Sequence, residues 1–573
     1  MKSIFTLLFI WNSFCSLIYA NERLAQDSYW LKLLHIEEKQ SDVDLNKELN
    51  KTILGFKQNP KTICQYPARY KWIDSKLHLN IKKPQCPKLH KFLNLNIKKI
   101  SIIFTSERYD SPASIFGHTM MKLESDTIPY AINYSAKVEK NINSFSYTLK
   151  GITGKFVSGY SFMPFSIKEY EYRSGEFRDL IEFELNLSAD EIENILLYFY
   201  EIKDTKEHYY FLSHNCSSEI LKLVDMAKYD SALSHDFRTV TIPINIIYIL
   251  NKYNYIKKIS TKFSKLKQFY LLIDRLNENE KDILFKITHF KYSIKNLEIN
   301  RDLSAEKKYI IIVSAINFFE IQSVRENMSQ RSLYPLMKLI ALKIKLLKKE
   351  KIFQKEIVSL NPISNKFHKI SLGTEIDDTR RSSELIVGYR YLYRSRYDLL
   401  DLMKKNGTVE LLDIMMSVKE NKIFLERFTL LNLEAMPVSN IFFQESINKI
   451  KVEISRVFEE NKLYTYFNYG LGYRYKLNRD IDYQFYTKTG IYYNNKMVYL
   501  ASSEISLEYN YSNKYISNLL FEYNYFTNEI VQKKISLKNY IKLSNNKTFT
   551  LKLTHEITQQ TSNKIELLLN YFF

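Results

Sequence analysis

The sequence predicts a multidomain exported protein: an α+β domain, then a helical connector, then a C-terminal antiparallel transmembrane β-barrel. Three observations carry this. Residues 96–228 alternate strand-like and helix-like segments. Residues 229–360 read as mostly helical and rich in lysine. From about residue 370, segments of roughly ten residues alternate an apolar, tyrosine-rich face with a polar one, the pattern of a membrane barrel.

The elements follow in order. The chain opens MKSIFTLLFIWNSFCSLIYA, with Lys2 ahead of an apolar run from Ile4 to Trp11 and a second apolar stretch ending at Ala20. This is the form of a secretory leader over residues 1–20, too short for a spanning helix. Asn12-Ser13-Phe14 makes a poor lipobox for Cys15. Residues 21–95 form a small module, helical around Tyr29–Glu38. Past the leader three cysteines remain, Cys64, Cys86 and Cys216. In an oxidising compartment an odd count invites one disulfide and one free thiol. Cys64 and Cys86, 22 residues apart in similar settings, are the natural pair.

The α+β domain is expected over residues 96–250. Lys98–Ser106, Met120–Leu123 and Tyr130–Ala136 read as strands. In DLIEFELNL, Ile181, Phe183, Leu185 and Leu187 keep strand period. Ser188 with Glu191 is a capping box, opening a helix whose apolar face starts at Ile192, Ile195, Leu196 and Tyr198. Tyr209–Leu212 is strand-like; Ser213, His214 and Asn215 break it, so Cys216 falls in the first turn of a helix. Residues 251–365 are the connector, with Pro335 where a helix starts or kinks.

The barrel is expected over residues 366–573, with on the order of ten to twelve strands. Tyr473, Tyr475, Ile505, Leu507 and Tyr509 belong to its apolar face, and Phe573 ends the chain on an aromatic residue. Arg474, Glu504, Glu508, Glu522, Asn524, Lys552, Glu566 and Asn570 belong to the polar face. The tyrosines suit interfacial girdles and favour a barrel over a soluble sandwich.

The formal charge of +20 suggests nucleic acid at first sight. The lysines are spread along the chain, without a basic stripe or a binding signature, so no nucleic-acid partner is expected. An anionic membrane surface fits the charge better. His208 and His214 are six apart, and Cys64 and Cys86 lack a CxxC partner, so no metal site is expected. There is no phosphate-cradling glycine loop, and no cofactor is expected.

Cys216 and His118 are the residues on which chemistry is expected. A thiol at a helix N-terminus gains thiolate character from the macrodipole, and the unpaired N–H groups there can form an oxyanion hole. A histidine on an adjacent strand would supply the base. By spacing alone, a buried cysteine and a structural histidine remain the simpler reading.

The segments DSPASIFGHTMMKLE and YYFLSHNCSSEILKLVD resemble the hallmark segments of the Lnb N-terminal periplasmic domain family, long catalogued as a domain of unknown function in Gram-negative bacteria. INYSA, EYRSGEFRDLIEFELNLS and TIPINIIYIL, with the CQYPARYKW module before them, extend the resemblance. The order of histidine on a strand and Asn-Cys opening a helix also resembles circularly permuted papain-like folds. These include permuted NlpC-type amidases and the lecithin:retinol acyltransferase group.

The resemblance implies that Cys216 is the nucleophile and His118 the general base. A third group should orient the imidazole. Asn133 in the next strand is the candidate, the alternative being a strand-edge asparagine facing solvent. His214 is either a second histidine near the thiol or a loop residue. Asn215 is read as a helix cap. Arg178 matches a family-like Arg-Asp with Asp179, or makes a structural ion pair.

The expected function is a cysteine hydrolase or acyltransferase, anchored in the outer membrane with its N-terminal domains in the periplasm. Its substrate would be an envelope amide or ester, from cell-wall peptide or from acylated lipid or lipoprotein. The alternative is a non-catalytic barrel, channel or assembly protein with an inactive papain-like domain.

Overall fold

The computed structural model describes residues 24–34, 44–108, 114–139, 142–231, 233, 241–326, 330–349, 368–378, 382–398, 407–420, 422–456, 462–478, 480–512, 514–558 and 561–573. The leader expected over residues 1–20 lies outside them. The chain divides into two compact units, one holding a seven-stranded sheet and the other holding the later helices and a barrel.

In the first unit the strands are β1 (Lys99–Thr105), β2 (His118–Glu124), β3 (Tyr130–Ala136), β4 (Phe156–Pro164), β5 (Leu180–Leu185), β6 (Lys206–Tyr209) and β7 (Ile256–Lys262). They run in the order β6-β4-β3-β2-β1-β5-β7, and every neighbouring pair is antiparallel. The apolar runs in β1 and β2 are central strands, so both faces are covered: Ile100, Ile102, Phe104, Met120, Met121 and Leu123 are buried. β6 begins earlier than the Tyr209–Leu212 pattern suggests. It pairs with β4 from Gly159↔Lys206 to Phe156↔Tyr209, and the chain then turns, with Tyr210 N–H donating to the His214 carbonyl at 2.8 Å. β7 lies inside the stretch read from sequence as the start of the connector.

Ser188 and Glu191 close the capping box of the Ala189–Ile202 helix, whose buried face includes Ile192, Ile195, Leu196 and Tyr198. The module before the sheet packs in the same unit. Cys64 and Cys86 form a disulfide. Trp30 and Trp72 stack at 5.7 Å, and the Arg69 N–H donates to buried Glu201 at 2.9 Å. Lys32 pairs at 3.1 Å with Asp225, the last residue of the Cys216–Asp225 helix, and the Tyr29 hydroxyl donates to the Met226 carbonyl at 3.0 Å. The module therefore braces the C-terminal end of the helix whose first residue is Cys216.

In the second unit, helices Glu278–Thr288, Ile294–Ile299, Ala305–Glu326 and Gln330–Lys349 precede the barrel. Pro335 lies inside the last of these. The barrel strands are β8 (Lys369–Asp377), β9 (Ser382–Arg394), β10 (Gly407–Lys419), β11 (Lys422–Ala435), β12 (Ser446–Arg456), β13 (Leu463–Lys476), β14 (Ile481–Asn494), β15 (Lys496–Ser512), β16 (Tyr515–Phe526), β17 (Val531–Ser544), β18 (Lys547–Ile557) and β19 (Thr561–Phe572). β19 pairs back onto β8 and closes a ring of twelve.

Along β15, Tyr499, Ile505, Leu507 and Tyr509 face outward while Glu504 and Glu508 are buried inside. A closed ring satisfies its backbone groups internally, and its outer face is apolar. This is an outer-membrane barrel. On the same unit, Phe442 and Phe443 in the β11–β12 connection pack against the helices: Phe443 lies 5.1 Å from Phe269 and 5.3 Å from Phe318.

Candidate active site

Cys216 opens its helix at the first helical position, and Asn215 is the N-cap. The Asn215 Oδ1 accepts from the N–H groups of Ser217 at 2.9 Å and Ser218 at 3.3 Å. Its Nδ2 donates to the carbonyls of Thr241 at 2.7 Å and Phe211 at 3.0 Å. Asn215 thus fixes the point at which the helix starts.

The cap corrects one expectation. The N–H groups of Ser217 and Ser218 are engaged by Asn215 and do not face a substrate. The N–H of Cys216 itself meets the Tyr209 phenol, which also lies against the thiol. Burial and the neighbouring Cys216 raise the Tyr209 pKa well above its ordinary value, so the phenol keeps its proton. The oxyanion-stabilising donor the geometry leaves beside the thiol is therefore the Tyr209 hydroxyl, not a row of helix amides.

His118 begins β2, directly opposite Thr105 of β1. Its Nε2 is 2.7 Å from Asn133 Oδ1. Asn133 is buried, with only 2% of its surface exposed, and is not a solvent-facing edge residue. With Nε2 committed to Asn133, Nδ1 is the ring nitrogen left for Cys216, whose thiolate form His118 favours. The imidazole stacks on Tyr172 at 5.7 Å.

Burial alone pushes the Cys216 thiol up. The His118 charge, the His118 hydrogen bond and the N–H and hydroxyl of Thr119 outweigh it and bring the pKa down to about 6. Burial opposes a charged His118, yet the thiolate, its hydrogen bond and the Asn133 oxygen raise the imidazole pKa overall. The two shifts share one cause, since each group favours the charged form of the other.

Arg178 stands behind this pair. Its guanidinium lies 5.2 Å over the Tyr172 ring, Nε donates to the Ser106 carbonyl at 2.7 Å and Nη1 pairs with Glu176 at 2.8 Å. Asp179 pairs instead with Lys267 at 3.1 Å, so Arg178 and Asp179 have separate partners.

His214 points away from the His118–Asn133 array into a second polar cluster. Its Nε2 meets Glu207, and Nδ1 lies 3.4 Å from buried Glu219. Tyr160 donates to Glu219 at 3.0 Å. Glu207, His214 and Glu219 bring ligating atoms within 4.8 Å of one another. The two carboxylates meet opposite nitrogens of one ring, and Lys222 already sits 2.8 Å from Glu219.

Thr119, Tyr209, Glu207 and Glu219 were not picked out from sequence. Thr119 was the one within reach, because it directly follows His118 at the start of β2. The others depend on β6 pairing with β4.

Asn215→Ala is expected to destabilise this unit by roughly 2–4 kcal/mol, combining a lost N-cap with two buried carbonyls left without their donor. Asn215→Ser, which keeps a capping oxygen, should recover about 1 kcal/mol of that. Thermal unfolding of the two variants checks the difference.

Residues 90–253 match the family described as the Lnb N-terminal periplasmic domain. Residues 356–572 match a domain of unknown function, DUF7840. No curated protein matches the chain. Among solved structures, a KdgM porin in complex with disordered oligogalacturonate is 12% identical, with a TM-score of 0.23, covering 36% of this chain and 99% of its own. A NanC porin is 5% identical at a TM-score of 0.25, covering 35% of this chain and 98% of its own. An anion-selective porin from Comamonas acidovorans is 6% identical at 0.20, covering 36% and 99%.

Proposed function

We propose that this chain is a cysteine acyltransferase or hydrolase of the cell envelope, using a permuted papain-like arrangement of Cys216, His118 and Asn133. The protein sits in the outer membrane through its barrel, with its N-terminal domain in the periplasm. The observation that carries the catalytic reading is the arrangement: a buried free thiol at the first position of a helix, beside a histidine on β2 whose Nε2 is held at 2.7 Å by buried Asn133, a setting that draws the thiol pKa down to about 6. Structural buried cysteines have the opposite tendency, toward a raised pKa.

The chemistry follows from the contacts. The Cys216 thiolate attacks the carbonyl carbon of an amide or ester, forming the carbon–sulfur bond. The developing oxyanion is stabilised by the neutral Tyr209 hydroxyl. The imidazolium of His118 gives its proton to the leaving amine or alcohol as the tetrahedral species collapses to a thioester. An acceptor amine or water then attacks the thioester and returns a proton to His118, and the thiolate leaves. Asn133 keeps the ring oriented through both steps.

The substrate class is an amide or ester of the envelope, either cell-wall peptide or the acyl groups of lipid and lipoprotein. Membrane anchorage raises the effective concentration of either. The test is intact mass of the full-length, detergent-purified protein after incubation with phospholipid vesicles or with cell-wall peptides. The expected result is a hydroxylamine-labile adduct on Cys216 that is absent from Cys216→Ala. No adduct from either substrate class, in a protein whose Cys216 still alkylates, overturns the reading. The alternative, a channel with an inert periplasmic domain, predicts ion conductance by the reconstituted barrel and a thiol unresponsive to electrophiles.

A further inference from the structure

Residues 395–398, which follow β9, turn into the barrel. Twelve strands close the ring, and β15 lies six places from β9 in either direction, which puts the two strands on opposite walls. Arg396, two residues past the end of β9, nevertheless reaches Glu508 of β15 with Nη2 2.6 Å from Oε2. The Tyr397 hydroxyl donates to the same carboxylate at 3.1 Å. The Tyr397 ring stacks on Tyr540 of β17 at 4.5 Å. Asp398 holds the segment to its own wall through Arg390 at 2.5 Å.

The side chains of Arg396 and Glu508 are each 1% exposed. Arg474 of β13 adds a further contact to Glu508 at 3.5 Å and donates to the Met436 carbonyl at 3.1 Å. Glu508, Arg474 and Tyr540 all lie near the strand ends at the mouth where the chain enters β8 and leaves β19. At the other mouth, Tyr464, Tyr466, Tyr492, Val498, Leu500 and Phe526 form a buried apolar cluster on β13–β16.

We infer that residues 395–398 form a crossbar that shuts the terminus-bearing mouth of the barrel, with the Arg396–Glu508 pair as its latch. The resting barrel is then an anchor and not a diffusion pore for hydrophilic solutes. Nη2 of Arg396 meets both oxygens of the Glu508 carboxylate, and an arginine–carboxylate pair taken out of water is costly to leave half-made, so the crossbar is held in one position rather than sampling the lumen. This inference is independent of the chemistry at Cys216.

The test places a reporter one inward step below the latch. Ser506, on the same inward face of β15 as Glu508, is 3% exposed. In full-length protein carrying Cys216→Ala and Ser506→Cys, with the Cys64–Cys86 disulfide intact, a small cationic methanethiosulfonate reagent reports access to the lumen. The expected result is slow labelling with Arg396 present and at least tenfold faster labelling in Arg396→Ala. Tyr397→Ala, which strands no buried charge, serves as the second variant and is expected to accelerate labelling in the same direction. Conductance in planar bilayers should follow: silent for the unsubstituted barrel, stepwise for the variants. Equal labelling rates in all three backgrounds, with each barrel showing the heat-dependent gel mobility of a folded one, overturn the inference. A steady open conductance of the unsubstituted protein does so as well.

Discussion

His118→Ala is expected to slow alkylation of Cys216 by an uncharged reagent roughly 30- to 60-fold at pH 5, to slow it only about threefold to sixfold at pH 7, and to speed it above about pH 8. The sign follows from two opposed effects. In the unsubstituted protein the thiolate population rises through about pH 6, because the imidazolium, its hydrogen bond and Thr119 overcome the burial that pushes the thiol up. Without the imidazole, burial is opposed only by Thr119, and the thiol pKa rises toward its ordinary 9.0. A shift of about three units cuts the thiolate fraction at pH 5 by roughly a thousandfold, while the more basic thiolate is itself about 15- to 30-fold more reactive. The net loss is therefore largest at acid pH, and the two profiles cross. The measurement is a rate profile from pH 5 to 10 with the Cys64–Cys86 disulfide oxidised. Superimposable profiles would falsify the activated pair. Profiles that differ by a constant factor would show that His118 controls access and not ionisation.

The parts of this molecule that were legible in the sequence are those written in local period. Ile505, Leu507 and Tyr509 announce an outward face and Glu504 and Glu508 an inward one, because strand side chains alternate strictly. Asn215 and Cys216 announce a helix start because only certain residues cap. The pairing of Asn133 with His118 was reachable because β2 and β3 are consecutive strands. What stayed hidden depends on contacts that no local pattern encodes. Tyr209 reaches the thiol only because β6 joins β4 at the far edge of the sheet. Arg396 sits in an aperiodic connection, and nothing nearby in sequence points to Glu508, 112 residues on. The docking of Tyr29 and Lys32 on the far end of the Cys216 helix likewise spans about two hundred residues. The small module of residues 21–95 is thereby part of the support of the candidate nucleophile.

Gly117→Ala is expected to lower the stability of the sheet-bearing unit by roughly 2–5 kcal/mol, a large share of the usual margin, and to abolish the acid-shifted reactivity of Cys216 in whatever protein stays folded. Gly117 has φ +85°, a conformation that an L side chain adopts only with strain. A Cβ there would stand 2.6 Å from Cε2 of Phe104 and 2.7 Å from the Thr105 carbonyl oxygen. Phe104 is wholly buried in β1, and Thr105 is the residue that pairs with His118. The alanine therefore pushes on the backbone pairing that sets where the imidazole stands. A misplacement of about 1 Å between reacting groups is enough to cost on the order of a hundredfold in rate. Two readouts separate the contributions. Thermal unfolding reports the sum of strain and overpacking. The double substitution Gly117→Ala with Phe104→Leu relieves the ring clash but leaves both the positive φ and the carbonyl contact. Its stability loss should be less than the sum of the single losses, because the two sites touch. Its alkylation profile should remain shifted toward alkaline pH, because His118 is still displaced. If Gly117→Ala unfolds at the unsubstituted temperature and keeps the profile centred near pH 6, the glycine is only a turn residue. The position of His118 would then be set by β2 alone.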